Sequence, residues 1–174
     1  MAFELLHFRY ADKILKNKGM ENDVQTTLQY LDDVLYGAQQ RGELIRQALK
    51  DMGWREDGTL TILEGRRYQY KGFKNRVAME GYIGNYEIIL EGLFRLQIGF
   101  DRETIDAGIL ILNSARSFDS PFGSSRELAE WEVEVLEPTI SLPVTIALFD
   151  IGETNTATAP RLRESIPPRN DPKN

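Results

Sequence analysis

Apolar positions along this chain follow two different spacings, and the places where the spacing changes mark out the elements. Val24, Leu28, Leu31 and Leu35 recur at helical spacing, after Asn22 and Gln25, which are spaced as a capping box. Leu44, Ile45, Ala48, Leu49 and Met52 predict a second helix that stops at Gly53. Three extended segments follow, Thr59–Leu63, Arg67–Phe73 and Arg76–Ile83, separated by turn residues. Helical spacing returns over Glu87–Phe100 through Leu90, Leu93, Phe94 and Ile98. Ile105–Leu112 is apolar except for Asp106, as a buried strand requires. After an Asn113–Ser125 loop, Ser124 and Glu127 are spaced to cap a helix carrying Leu128, Trp131 and Val135, ended by Pro138. Val144–Ile151 predicts a final strand, while Met1–Lys16 suits strand and helix equally. Helices, a strand group, then helix, strand, helix and strand in turn specify an α/β or α+β domain around one central sheet.

Proline sets the domain boundary. None of the seven prolines precedes Pro121, and four lie at Pro160, Pro167, Pro168 and Pro172. Residues 1–151 are therefore expected to form one domain, and residues 152–174, which have few large apolar side chains, a flexible C-terminal tail. The 41% apolar and 28% charged content is globular. No apolar run approaches the ~20 residues that cross a bilayer. Glu4, His7, Arg9 and Asp12 interrupt the start of the chain as no secretion signal would allow. The expectation is a cytoplasmic protein with no membrane partner.

Composition removes several chemistries. With no cysteine there is no disulfide framework, thiolate metal site or thiol nucleophile, and a single histidine, His7, rules out a multi-histidine metal site. With 27 acidic against 21 basic residues, the net charge of −6 opposes indiscriminate binding to nucleic acid. Locally the balance reverses. Between Glu64 and Glu80 stand Arg66, Arg67, Lys71, Lys74 and Arg76 with no acidic residue, interleaved with Tyr68, Tyr70 and Phe73. Such a strip suits a phosphate backbone, and it equally suits a solvated hairpin edge that discourages aggregation. Glu80 ends a segment, Val77–Ala78–Met79, that reads as buried. A carboxylate there needs an ion pair, a hydrogen-bond donor or a metal, unless it is an exposed strand end.

The run YQYKGFKNRVAMEGYIGNYE (Tyr68–Glu87) and the later TIDAGILIL (Thr104–Leu112) resemble restriction endonucleases of the BglII/BstYI type, a branch of the PD-(D/E)XK nucleases. IRQALKDMGWRE (Ile45–Glu56) is similar to that family's helix ending in Gly-Trp, and LPVTIALFDIG (Leu142–Gly152) to its last strand. The resemblance implies an α/β domain with a restriction-endonuclease-like core, a mixed central β-sheet flanked by helices, and a homodimer on double-stranded DNA. It also implies Mg²⁺-dependent phosphodiester hydrolysis, the activity of a type II site-specific deoxyribonuclease. In such a site carboxylates hold the metal and the metal activates the attacking water.

Glu80 matches the family's strand glutamate. Two other positions depart from the pattern: Lys71 stands where an aspartate belongs, and Tyr82 where a Gln, Glu or Lys belongs. An ammonium in place of a metal-binding carboxylate opposes Mg²⁺. Two outcomes follow. In one, Glu80 and Glu64 hold the metal, with Glu91 or Glu87 as replacement carboxylates and Lys71 beside the scissile phosphate. In the other, catalysis is lost and a DNA-binding or regulatory protein remains, with Arg66, Arg67, Lys71, Lys74 and Arg76 as its DNA contacts. A protein-interaction domain on the same fold is a third reading. Asp106 is expected to be a hydrogen-bonded structural residue, and Trp54 and Trp131 to be core packing residues.

Overall fold

The computed structural model describes residues 3–81, 83, 88–114 and 124–152. The expected tail beyond Gly152, most of the Asn113–Ser125 loop, and Tyr82 and Glu87 lie outside the described residues. The elements are β1 (Phe3–Phe8), α1 (Ala11–Asn17), α2 (Glu21–Leu35), α3 (Arg41–Asp51), β2 (Gly72–Lys74), β3 (Val77–Gly81), α4 (Ile88–Asp101), β4 (Ala107–Asn113), α5 (Arg126–Val135) and β5 (Val144–Phe149).

One five-stranded mixed sheet runs in the order β1-β5-β4-β3-β2. The three central strands are parallel, with Glu80 opposite Leu110 and Leu110 opposite Ile146. The two edge strands are antiparallel to their neighbours. All residues of β3, β4 and β5 are buried, as strands covered by helices on both faces must be. Strand alternation divides the core accordingly. Val77, Met79, Ile109 and Phe149 pack with Leu28, Leu31, Leu49 and Trp54 from the α2–α3 side. Ala78, Leu110 and Ile146 pack with Leu93, Leu96, Ala129 and Val133 from α4 and α5. At the centre of the first core the Trp54 indole N–H donates to the Thr27 hydroxyl at 3.0 Å.

Several boundaries differ from expectation for identifiable reasons. The N-terminal ambiguity resolves into β1 followed by α1. The α2 N-cap is Met20, with no side-chain bond, so the Asn22–Gln25 capping box does not form. In α5 the cap is Ser125, whose hydroxyl accepts from the Leu128 amide at 3.3 Å. The first two extended segments form only a short hairpin, bridged at Thr61 and Gln69, before β2 begins. Trp54 follows α3 rather than lying on it. The helical apolar stripes are also wider than the sheet can cover: Leu90, Phe94, Trp131 and Val135 are all more than half exposed. Trp131 is thus a surface residue, and the buried side of α5 is Ala129 and Val133.

Two glycines let α4 pack closely, Gly92 against the sheet and Gly99 against the segment before β2. A side chain at Gly92 would meet Leu110 Cδ1 at 2.6 Å, and one at Gly99 would meet the Tyr70 hydroxyl at 1.9 Å. Glycine at both points accepts a helix-propensity penalty in exchange for that approach. Between the two glycines, Gln97 accepts from the amides of Ser141 and Leu142, tying α4 to the segment that enters β5.

Candidate functional site

The hairpin joining β2 to β3 shows how the cationic strip is distributed. Asn75 and Arg76 form its two-residue turn with φ of 47° and 61°, the conformation of a type I′ hairpin. That conformation is unfavourable for arginine, and the fold holds Arg76 there by three contacts to the Asp106 carboxylate at 2.8–3.2 Å and one to the Glu103 carbonyl at 2.9 Å. Lys18 adds a 2.6 Å contact to Asp106. Hydrogen bonds from Arg76 and Lys18 hold the Asp106 carboxyl down at about 2. Asp106 is the structural residue expected, half-buried, with the turn arginine as its partner.

Lys74 points to the α2–α3 side, where its ammonium meets Asp23 at 2.9 Å and the Met52 carbonyl at 3.4 Å. Arg66 and Arg67 lie exposed near the tip of the preceding hairpin. Glu64 is exposed at the same tip. It does not figure among the charges acting on Glu80. The strip therefore splits: Lys74 and Arg76 are engaged within the fold, Arg66 and Arg67 face solvent, and Lys71 stands beside Glu80.

Glu80 lies on the same sheet face as Ala78, beneath α4, with Gly92 directly above it. Its side chain is 5% exposed, and Oε1 has no hydrogen-bond partner among the described residues. The exposed strand-end alternative is thereby excluded. Burial pushes its carboxyl up to about 7, while Arg95, Lys71 and the Gly81 amide act to lower it and Glu91 to raise it.

Arg95 is the residue that sequence reasoning missed. Its guanidinium donates to Glu91 Oε1 from Nε at 3.0 Å and from Nη2 at 2.6 Å. Nη1 reaches the Gln69 carbonyl at 3.3 Å and lies 4.0 Å from Glu80 Oε1. The sequence signal was present as the i, i+4 pair Glu91–Arg95, a pattern that ordinarily marks a solvated helix face. Tyr70 completes the surroundings. Its hydroxyl is buried against Gly99, and burial raises its pKa.

Carboxylates able to share a divalent ion must converge around a gap left for it. Here the side chains acting on Glu80 are one further carboxylate, Glu91, and two cations, Arg95 and Lys71. Glu91 is already bound to Arg95. No group of three or more His, Asp or Glu side chains able to hold a metal occurs among the described residues. The unpartnered Glu80 Oε1 alone suits a metal; the rest of the donor set does not fit one. Of its two positive groups Arg95 is taken up by Glu91, which leaves the Lys71 ammonium to meet an anion such as a phosphate.

Three comparisons with known proteins bear on the fold and family. A family model described as "Restriction endonuclease BglII/BglIII" matches residues 3–158. The crystal structure of restriction endonuclease BglII complexed with a DNA 16-mer superposes with a TM-score of 0.62 at 15% identity, over 88% of this chain and 77% of that one. The crystal structure of free BglII gives 0.52 at 16% identity, over 88% and 79%. At such identity the two structures establish a shared fold, as expected from the sequence. No curated protein sequence matches the chain.

Proposed function

We propose that this chain, which belongs to the BglII/BglIII restriction endonuclease family, is a duplex-DNA-binding protein whose Glu80 site lies against the phosphate backbone. The observation that carries the reading is that two cations, Lys71 and Arg95, act on a buried carboxylate at the end of β3, while Arg66 and Arg67 are exposed on the hairpin that precedes β2. Phosphate contacts of this kind supply affinity without sequence information. Lys71 and the two hairpin arginines are the proposed contacts; Lys74 and Arg76 support the hairpin that presents them.

Hydrolysis of the phosphodiester is the second reading, and family membership favours it. It needs a group to activate water and another to stabilise negative charge on the phosphoryl and leaving oxygens. With Arg95 between Glu80 and Glu91, the described residues favour binding over Mg²⁺-dependent cleavage. Glu64 at the hairpin tip has no place in this site, and Glu91 acts through Arg95.

The same reading assigns a homodimer to the exposed face of α4 and α5. Leu90 and Phe94 on α4 and Trp131 and Val135 on α5 leave apolar surface on the side away from the sheet. A second copy covering that face would double the DNA contacts on a two-fold axis. No helix of the described residues is long and apolar enough to cross a membrane, and a DNA-binding protein of this class belongs in the cytoplasm.

The test is retardation of duplex DNA by the purified chain at low salt, with and without Mg²⁺ or Mn²⁺. Binding without cleavage is expected, weakened by Lys71→Glu and by the double change Arg66→Glu, Arg67→Glu. Cleavage that needs a divalent metal and disappears in Glu80→Ala would establish the second reading. Absence of both a shift and cleavage would remove both.

A further inference from the structure

We propose that Arg95 is the resident cation of the Glu80 site, its guanidinium standing between the Glu80 and Glu91 carboxylates where a divalent ion would otherwise sit, so that the free protein takes up neither Mg²⁺ nor Mn²⁺ there. The geometry is that of an occupied position. Nη2 and Nε are bound to Glu91 at 2.6 and 3.0 Å, Nη1 to the Gln69 carbonyl at 3.3 Å, and Nη1 faces Glu80 Oε1 at 4.0 Å. The planar fork is thus fixed at both ends, and only 29% of the side chain is exposed. An ion entering between the carboxylates would have to displace a charge already bonded to one of them, with the Lys71 ammonium adding repulsion. Glu91 is accordingly a positioning residue for Arg95.

Removing the guanidinium reverses the situation. Glutamine at position 95 would leave two carboxylates on adjoining elements, one of them with an unpartnered oxygen, and no cation between them. This inference does not depend on DNA binding, because it is read on the free protein. Full-length chain is titrated with Mn²⁺, and free Mn²⁺ is followed by electron paramagnetic resonance. Wild type is expected to leave millimolar Mn²⁺ free, and Arg95→Gln to bind one ion per chain at least about tenfold more tightly. Glu80→Gln in the same background is expected to abolish that gain. Wild-type uptake of one ion per chain, lost in Glu80→Gln, would overturn the proposal, as would a folded Arg95→Gln variant with no gain.

A measurement on wild type alone guards against misfolding of the variant. The Arg95 Nε–H resonance, identified by its disappearance in Arg95→Lys, should be protected from solvent exchange and unmoved by millimolar Mg²⁺. A shift of that resonance on adding Mg²⁺ would mean that the ion reaches the position, and the proposal would fail.

Discussion

Replacing Glu80 by glutamine isolates the cost of keeping a carboxylate under α4. Burial dominates that environment and pushes the Glu80 carboxyl up to about 7 from an ordinary 4.5, despite the opposing pull of Arg95 and Lys71. The unfolded chain releases this proton near 4.5 and the folded chain only near 7. Between those values the folded state binds more protons, so stability falls as pH rises through the window. Each pH unit of that interval is worth about 1.4 kcal/mol, and ionised Glu80 therefore costs the folded state about 3 kcal/mol above neutrality. Below about 4.5 the cost is absent. Glutamine keeps the shape of the protonated acid and has no proton to lose. Urea denaturation across this range should find Glu80→Gln within about 1 kcal/mol of wild type near pH 5 and more stable by about 3 kcal/mol near pH 8.5. Parallel stability curves for the two proteins would refute the reasoning, as would a variant equally destabilised at both ends.

Other expectations concern separate parts of the molecule. Asp106→Asn should cost about 1 kcal/mol at neutral pH, since the pair with Arg76 and Lys18 is partly solvated and screened. The difference should vanish as pH falls from the ordinary 3.8 through about 2, because a lowered carboxylate stabilises only while it is ionised; acid unfolding of both proteins checks it. Trp54→Ala should lower stability by about 3–5 kcal/mol, as removal of a fully buried indole does, read by thermal unfolding. Phe94→Asp with Trp131→Glu should leave the monomer folded and shift the chain from dimer to monomer in light scattering after gel filtration. A wild-type monomer at high concentration would dismiss the dimer.

Much of the fold was legible because its apolar spacing has one reading. Val24, Leu28, Leu31 and Leu35 share a face on a helix, and the short apolar run from Ala107 to Leu112, followed by a turn-rich loop, fits a strand buried inside a sheet. Leu90, Phe94, Trp131 and Val135 obey the same helical rule and are nonetheless exposed. Periodicity identifies an apolar face without saying whether the sheet or another surface covers it. The site was legible in part for a similar reason. Glu80 could be placed at the end of a buried strand, but its burial and its neighbours depend on α4 crossing above it at Gly92. Arg95 was hidden because Glu91–Arg95 looks like any surface pair. Lys74 and Arg76 looked like DNA contacts in the linear strip. The hairpin turns one toward Asp23 and pins the other at its corner to Asp106, which no count of charges could indicate.

Fluorescence anisotropy of a labelled DNA duplex, titrated with the chain across a series of salt concentrations, reads the proposed phosphate binding most directly. Tight association at low salt is expected, with log affinity falling linearly against log salt. In Lys71→Glu, which removes one phosphate-neutralising ammonium, that slope should be shallower by about one. Affinity that is absent at low salt, or that ignores salt and the Lys71 substitution alike, would contradict the account.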